Sequence, residues 1–275
     1  MPEAFYVRDG DRLLATELTR GPWSATLQHG GPPAALLAGA IETADPDSAG
    51  FAVARLTFEF MRPVPIGAFE VRTAVLRAGR QAQRLEGSLL HDGVEVVRVH
   101  ALRIRRAQVH LPPPRCPRRS TPIGPAGLEP FTFPFFRERV AYHTAVEIRI
   151  ARGIWGRGQT TAWVRLRVPL IAGEPTSPLQ ALVTIADAGN GVCTVLDPRQ
   201  YTFVNPDLSL FLDREPIGEW FALDARSTAD AGGRGLAQSE LFDRDGELGR
   251  CLQCLVIDER SGAGASDGSG TTMDT

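Results

Sequence analysis

Residues 28–41 read QHGGPPAALLAGAI, in which glycines and prolines precede a run of small apolar residues. Within the run, Leu37, Ala40 and Ile41 recur at helical spacing. The prolines suit a first helical turn, where a missing N–H costs nothing. The glycines carry no side chain, so another group can approach the backbone closely. The stretch therefore predicts an apolar helix whose first turn either holds a ligand or shapes a tight entry.

The strands that follow this helix are repeated later in the chain. LTFEFMRPVPIG begins at Leu56, and LSLFLDREPIGEW begins at Leu208. Local matches that keep nearly the same offset over about fifty residues indicate an internal duplication. The matching positions are Arg62 with Arg214, residues 65–67 with residues 216–218, and residues 92–93 with residues 245–246.

Each copy predicts a leading β stretch, one helix and about four strands. The second helix is expected to open at Ser177-Pro178, a capping residue followed by proline at the first helical position. One long apolar helix with antiparallel strands is an α+β arrangement, and a helix this apolar should be wrapped by its sheet. The predicted strands cover residues 53–61, 67–77, 81–91 and 94–104 in the first copy, and 144–154, 159–169, 203–214, 219–228, 235–243 and 249–258 in the second.

The chain is predicted to contain two domains. Residues 1–106 form the first domain and residues 141–258 form the second. Residues 107–140 are rich in proline and predict an extended linker. Residues 259–275 predict a disordered tail, and the match to the hydrolase pattern G-x-S-x-G at 264–268 is interpreted as chance.

Composition excludes several classes of function. The net charge is −2, which provides no electrostatic footprint for nucleic acid. No apolar run approaches the ~20 residues of a membrane helix, and the N-terminus does not resemble a signal peptide. We therefore expect a cytoplasmic protein. The chain contains no lysine, which removes Schiff-base chemistry and a P-loop lysine.

The four cysteines are predicted to be reduced and structural. Cys251 and Cys254 have C-x-x-C spacing, but they lie in a predicted strand, where positions three apart point to opposite faces. Cys116 and Cys193 are isolated, and the histidines show no metal-ligand spacing. The sequence therefore predicts no metal site.

A helix that opens with His-Gly-Gly and is wrapped by antiparallel strands resembles the hotdog fold. Two such units in tandem resemble the acyl-CoA thioesterase II type, especially its actinobacterial-type relatives. The resemblance covers residues 5–258. It implies a double hotdog that hydrolyses an acyl-CoA thioester to free acid and CoA without a cofactor. The motifs that carry it are residues 28–37, 56–67, 186–191, 205–220 and 235–253.

In that family the active site lies between the halves and holds a water that attacks the thioester. It uses an Asp on the second helix, a Ser or Thr at the start of the following strand, and a Gln on the last strand. The resemblance assigns Asp187, Asn205 and Gln253 to these positions. Asn205 is a departure, because an amide can orient water but offers no hydroxyl. Either the alignment slips toward Thr202 or Ser209, or activity is reduced.

Each of these residues also has a simpler interpretation. Asp187 follows an apolar helical run, which suits a buried general base, but it could be solvated where the helix ends. Gln253 lies among apolar strand residues and could merely bond the neighbouring helix. Asn205 precedes proline, a common turn signal. The duplication aligns Gln253 with His100, which predicts a single acid–amide set.

His29, Gly30 and Gly31 open the first helix, where unpaired N–H groups could bind an oxyanion. The alternative is that the glycines only shape the turn and His29 caps it. Two other functions remain open from sequence: a non-catalytic acyl-CoA or acyl-lipid binding protein, and an enoyl-thioester hydratase. The sequence leaves acyl-chain length undecided, and the chain could be a monomer or a homo-oligomer.

Overall fold

The computed structural model describes residues 2–45, 48–112 and 118–260. The predicted α+β architecture is confirmed, with apolar helices packed on one antiparallel sheet. The G-x-S-x-G match, most of the predicted tail and Cys116 lie outside the described residues. The helices are α1 (Gly31–Glu42), α2 (Tyr142–Ala145), α3 (Pro178–Ala186) and α4 (Gly189–Val192). The strands are β1 (Tyr6–Asp9), β2 (Arg12–Ala15), β3 (Phe51–Phe60), β4 (Ala68–Ala78), β5 (Ala82–His91), β6 (Val94–Arg105), β7 (Pro130–Phe131), β8 (Val146–Gly153), β9 (Gln159–Leu166), β10 (Tyr201–Val204), β11 (Asp207–Leu212), β12 (Phe221–Asp230), β13 (Arg234–Asp243) and β14 (Gly246–Glu259).

The two copies meet at the centre of the sheet. There β3 pairs antiparallel with β11, and Thr57 lies opposite Ser209. Outward from β3 the order is β6, β5, β4, β2 and β1, and outward from β11 it is β14, β13, β12, β9, β8 and β7. Apart from β7 at the far edge, each half has the same strand order on its side of the β3–β11 pair. This arrangement supports the duplication.

Strand register corrects one predicted equivalence. Leu56 pairs with Ala101 in the first half. In the second half Ser209 pairs with Leu252, so Leu208 lies opposite Gln253. The counterpart of Gln253 is therefore Ala101, and the predicted alignment with His100 is wrong by one residue. A shift of one residue in a strand moves a side chain to the opposite face, and His100 is only half-buried while Ala101 is fully buried.

The helices α1 and α3 pack directly against each other inside the sheet. A Cβ on Gly31 would collide with the backbone carbonyl of Thr184 in α3. The glycine at this position thus allows the close approach of the two helices. The predicted cap of α3 is confirmed, since the Ser177 hydroxyl accepts a hydrogen bond from the backbone N–H of Gln180 at 3.1 Å.

The proline-rich segment is more than a connection. Its residues 130–131 form β7 beside β8, and Phe133 is buried in the core. The predicted domain limits remain a prediction. The strand prediction for CLQC is confirmed, because Cys251 is buried and Cys254 is exposed on the same strand. Cys193, Cys251 and Cys254 are free thiols.

Candidate active site

Asp187 lies at the C-terminal cap of α3 and is 3% exposed. The burial supports the first of the two interpretations of this residue. Its Oδ1 accepts hydrogen bonds from Asn205 Nδ2 at 2.8 Å and from Gln253 Nε2 at 3.3 Å. Its Oδ2 lies 3.0 Å from His29 Nδ1. A carboxylate buried at the negative end of a helix needs such partners, and here they come from both halves of the chain.

His29 is held in place through both its backbone and its ring. Its backbone N–H donates to the Thr19 carbonyl at 2.7 Å, and its ring lies flat on Tyr142. The Tyr142 hydroxyl in turn donates to the Thr184 carbonyl at 3.0 Å. Burial lowers the pKa of His29, and the nearby Asp187 carboxylate offsets part of that effect. Burial thus favours the neutral form of His29.

The Nδ1 atom of His29 faces two groups. The backbone N–H of Gly31 lies 3.2 Å from it, and Asp187 Oδ2 lies 3.0 Å from it. One ring nitrogen cannot accept from Gly31 and donate to Asp187 at the same time. With a proton on Nδ1, His29 bonds Asp187, and without it His29 caps the first turn of α1.

Gly30 brings the start of α1 against the carboxylate. A Cβ at this position would lie 2.9 Å from Asp187 Oδ2 and 2.7 Å from the Phe60 ring. The backbone N–H of Gly30 has no acceptor among the described residues. A free N–H at a helix N-terminus can donate a hydrogen bond to an oxyanion. The two glycines thus differ, because Gly31 faces the other helix and Gly30 faces the acid.

Asn205 contacts Asp187 from a bulge between β10 and β11. Val204 pairs with Val256, and Ser209 pairs with Leu252. Between these two pairs, residues 205–208 lie against residues 253–255 of β14, so the segment that contains Asn205 has one extra residue. The predicted strand over 203–214 is accordingly broken at Asn205-Pro206 into β10 and β11. Bulges commonly redirect a side chain beside a site. The turn and site interpretations of Asn205 therefore hold together. Its Nδ2 bonds Asp187 and the Asp207 carbonyl.

Gln253 lies behind the carboxylate. It is 1% exposed, and its Nε2 donates to the Asp187 carbonyl at 3.1 Å as well as to the side chain. Its Oε1 accepts from the Asn190 backbone N–H at 3.2 Å. Unlike Asp187 and Asn205, it does not line the cavity. Gln253 fixes the acid and the turn that follows α3, so its position does not suit direct contact with water.

A cavity of about 500 Å³ opens above Asp187. Both halves line it, and its wall is mainly apolar. Part of the wall comes from the proline-rich segment, for which the sequence predicts only a linker. The Trp23 ring meets Phe203 edge-on with centroids 4.9 Å apart and stacks on Phe135 at 6.2 Å. The aromatic lining residues are Trp23, Phe60, Phe133, Phe135, Phe136 and Phe203.

The first half lacks an equivalent acid–amide set. Counted from the helix N-caps Gly30 and Ser177, the counterpart of Asp187 is Ala40. The counterpart of Gln253 is Ala101, as the strand register shows. Two alanines cannot bind a water, so the duplicated pair contains one such site. Within the described residues, His, Cys, Asp and Glu side chains nowhere gather in threes to share a metal ion.

Comparison with known proteins shows that this chain is a thioesterase. A family model for the acyl-CoA thioesterase C-terminal domain matches residues 113–257, and one for the N-terminal domain matches residues 19–104. The chain belongs to the acyl-CoA thioesterase family and is a thioester hydrolase. A comparison with curated protein sequences gives no match.

Solved structures agree on the double hotdog fold. A protein described as a putative thioesterase II from Thermobifida fusca is 18% identical with a TM-score of 0.70, covering 92% of this chain and 95% of that one. An acyl-CoA thioesterase II from Mycobacterium marinum is 18% identical with a TM-score of 0.65, covering 94% and 95%. A hotdog protein of unknown function from Alicyclobacillus acidocaldarius is 18% identical with a TM-score of 0.69, covering 92% and 95%. The predicted fold is confirmed. Across residues 2–45, 48–112 and 118–260, none of the helices combines the length and apolarity that crossing a bilayer requires.

Proposed function

We propose that the protein hydrolyses an acyl-CoA thioester to a free acid and CoA, with Asp187 as general base. The observation that carries this proposal is the position of Asp187. Its carboxylate is buried, lines the cavity and lies against the N-terminus of α1. A base and an oxyanion donor on the same wall are the two parts that water attack on a thioester requires.

The attacking water is proposed to sit between Asp187 and Asn205. Asn205 lines the cavity, and its Oδ1 has no donor among the described residues. A water there can donate one hydrogen bond to Asn205 Oδ1 and the other to the carboxylate. Asn205 then orients the water through a carbonyl oxygen in place of the hydroxyl found in the family. Gln253 and His29 hold the carboxylate from the two remaining sides.

The reaction then proceeds in two steps. The water oxygen bonds the thioester carbon while its proton passes to Asp187, and the carbonyl oxygen gains negative charge. The N–H of Gly30 and the positive end of α1 stabilise that charge, with the His29 ring beside them on the cavity wall. The carbon–sulfur bond breaks, and the leaving thiolate takes the proton back from Asp187.

The aromatic cavity is the proposed acyl site. Its wall offers apolar contact and no charge other than Asp187 and Arg62 within the described residues. Burial of each acyl methylene there contributes about 0.8 kcal/mol. The cavity thus selects an apolar acyl group.

A thiol-release assay tests this function. Wild-type protein should release free CoA from at least one member of a panel of acyl-CoAs of rising chain length. Asp187→Ala removes the proposed general base and should lower the rate by about 10²-fold or more. Gln253→Ala leaves the carboxylate less firmly positioned and should lower the rate by about tenfold or more. Circular dichroism melting curves serve as the folding control.

Two outcomes contradict the proposal. Folded variants that hydrolyse acyl-CoAs as wild type does would reject the assigned residues. Wild-type protein that binds acyl-CoAs by calorimetry but releases no thiol would reject hydrolysis of this substrate class.

A further inference from the structure

Two equivalent arginines have opposite surroundings. Arg62 and Arg214 each lie two residues beyond the end of a central strand, Arg62 after β3 and Arg214 after β11. These strands pair with each other, and their neighbours β6 and β14 keep the same register in both halves. The duplication therefore placed the same guanidinium at two corresponding points of the fold.

Arg214 is bound inside the second half. Its guanidinium makes a two-pronged contact with Asp243 at 2.5 and 2.6 Å and donates to the Gly246 carbonyl at 2.7 Å. Asp243 is fully buried and also accepts from the backbone N–H groups of Ile217 and Asp245. This pair ties the loop after β11 to the β13–β14 turn, so Arg214 is structural.

The first half has no such acid. Asp243 pairs with Gly246 at the β13–β14 turn, and the corresponding pair at the β5–β6 turn is His91 with Val94. The Nδ1 of His91 is turned to the Ala68 carbonyl at 3.0 Å. Within the described residues, the Arg62 side chain has neither a hydrogen bond nor an ion pair.

Arg62 instead lines the cavity that contains Asp187, and it is an exposed residue. Among the described lining residues it is the one arginine in a wall that is otherwise mostly apolar. An unpaired guanidinium presents five donors in a planar fork that matches the oxygens of a phosphate. CoA brings phosphate groups to the mouth of any site that holds its thioester.

We propose that Arg62 binds a phosphate group of CoA. The inference rests on the proposed function, because it takes an acyl-CoA as the substrate. The replacement of the buried acid by His91 freed this arginine from the structural role that its counterpart keeps. The first half thus contributes the phosphate contact, and the second half contributes the base.

Calorimetric titration with CoA and with pantetheine tests the proposal without turnover. Arg62→Gln should weaken CoA binding by about tenfold, the loss expected for a charge-assisted hydrogen bond. Pantetheine, which has no phosphate, should bind the variant and the wild type within about twofold. The CoA affinity of Arg62→Lys should lie between those of Arg62→Gln and the wild type, because lysine keeps the charge but loses the planar fork of donors. Arg84→Gln on β5 is the matched control, because the Arg84 side chain is exposed and has no hydrogen bond or ion pair within the described residues.

The same variants are then compared in steady-state hydrolysis of an acyl-CoA and of the matching acyl-pantetheine. The KM for the acyl-CoA should rise by about tenfold in Arg62→Gln, and the KM for the acyl-pantetheine should hold within about twofold. Equal weakening of CoA and pantetheine overturns the proposal, and so does undetectable CoA binding by wild type. An effect confined to acyl groups that carry a second carboxylate also overturns it. Wild type that binds CoA in an Arg62-dependent way yet releases no thiol supports the phosphate contact and rejects hydrolysis alone.

Discussion

The imidazole of His29 lies flat on the phenol ring of Tyr142, with ring centroids 3.8 Å apart and planes 3° from parallel. The two residues belong to different halves of the chain, and the stacked pair sits directly behind the Asp187 carboxylate. The orientation of the acid therefore depends on how the halves meet.

Tyr142 variants separate stacking from hydrogen bonding. Tyr142→Phe keeps the ring under His29 and loses the hydroxyl bond to Thr184, which costs about 1 kcal/mol of stability. Tyr142→Leu removes the stacked ring, and a displaced His29 should lower kcat by about tenfold or more. Thiol release and urea unfolding measure the two effects. Equal kcat in both variants would show that the ring does not position His29.

Alanine at the two helix-opening glycines should have different consequences. In Gly31→Ala the new methyl group meets the backbone carbonyl of Thr184, so the helices must separate at a cost of about 1–3 kcal/mol. In Gly30→Ala it meets the ends of Asp187 and Phe60, which can move. Gly30→Ala should therefore lose about tenfold or more in kcat with less than about 1 kcal/mol of stability. Melting curves and thiol release together check the contrast, and a reversed order would refute it.

Stability should fall as the pH drops below about 6.5. Burial lowers the pKa of both His29 and His143. The unfolded chain then binds more protons than the folded one just below the ordinary histidine pKa, so stability is full above 6.5 and declines as pH falls through the folded values. Urea unfolding from pH 7.5 to 5.5 measures the slope. In His29→Gln the dependence of stability on pH should be weaker. Subtracting the variant's curve of stability against pH from that of the wild type cancels the contribution of other titrating groups. An unchanged slope in His29→Gln would contradict the assignment.

Arg103 should be a major determinant of stability in the first half. It is 1% exposed and donates to Gln83, to the Ile41 carbonyl near the end of α1, and to Asp45. Arg103→Ala removes the donor to the buried Gln83 Oε1 and should cost about 1–3 kcal/mol in urea unfolding. Arg105→Ala, at an exposed position on the same strand, should cost less than about 1 kcal/mol. Similar losses for the two variants would show that the buried contacts contribute little.

Sequence patterns predicted the elements closely, because strands and apolar helices have strong periodicity. β4 and β5 begin within one residue of the predicted strands, and α3 begins after its predicted cap. Asp187 was also recognisable, since an acid that ends an apolar helix is chemically conspicuous. The break at Asn205-Pro206 was not predicted as a bulge, because its extra residue is visible only against β14.

Contacts between the halves could not be predicted from sequence. Tyr142 belongs to a short turn with no repeated pattern, and its role arises only where it meets His29. Phe133, Phe135 and Phe136 lie in a segment that the sequence predicts as a proline-rich linker, and only the fold shows that they line the cavity. The alignment of Gln253 with His100 failed because a match along the chain cannot detect a one-residue strand shift.

The central β3–β11 pair joins two copies that, as separate chains, would form a two-fold symmetric dimer. In a symmetric dimer every substitution appears twice, so both copies of a site must change together. A covalent link removes that constraint, and each half can then change alone. Ala101 and Gln253 occupy equivalent positions at which the halves have diverged. Arg62 and Arg214 are still the same residue, but their surroundings have diverged. The covalent link thereby allowed two identical subunits to become two different halves of one protein.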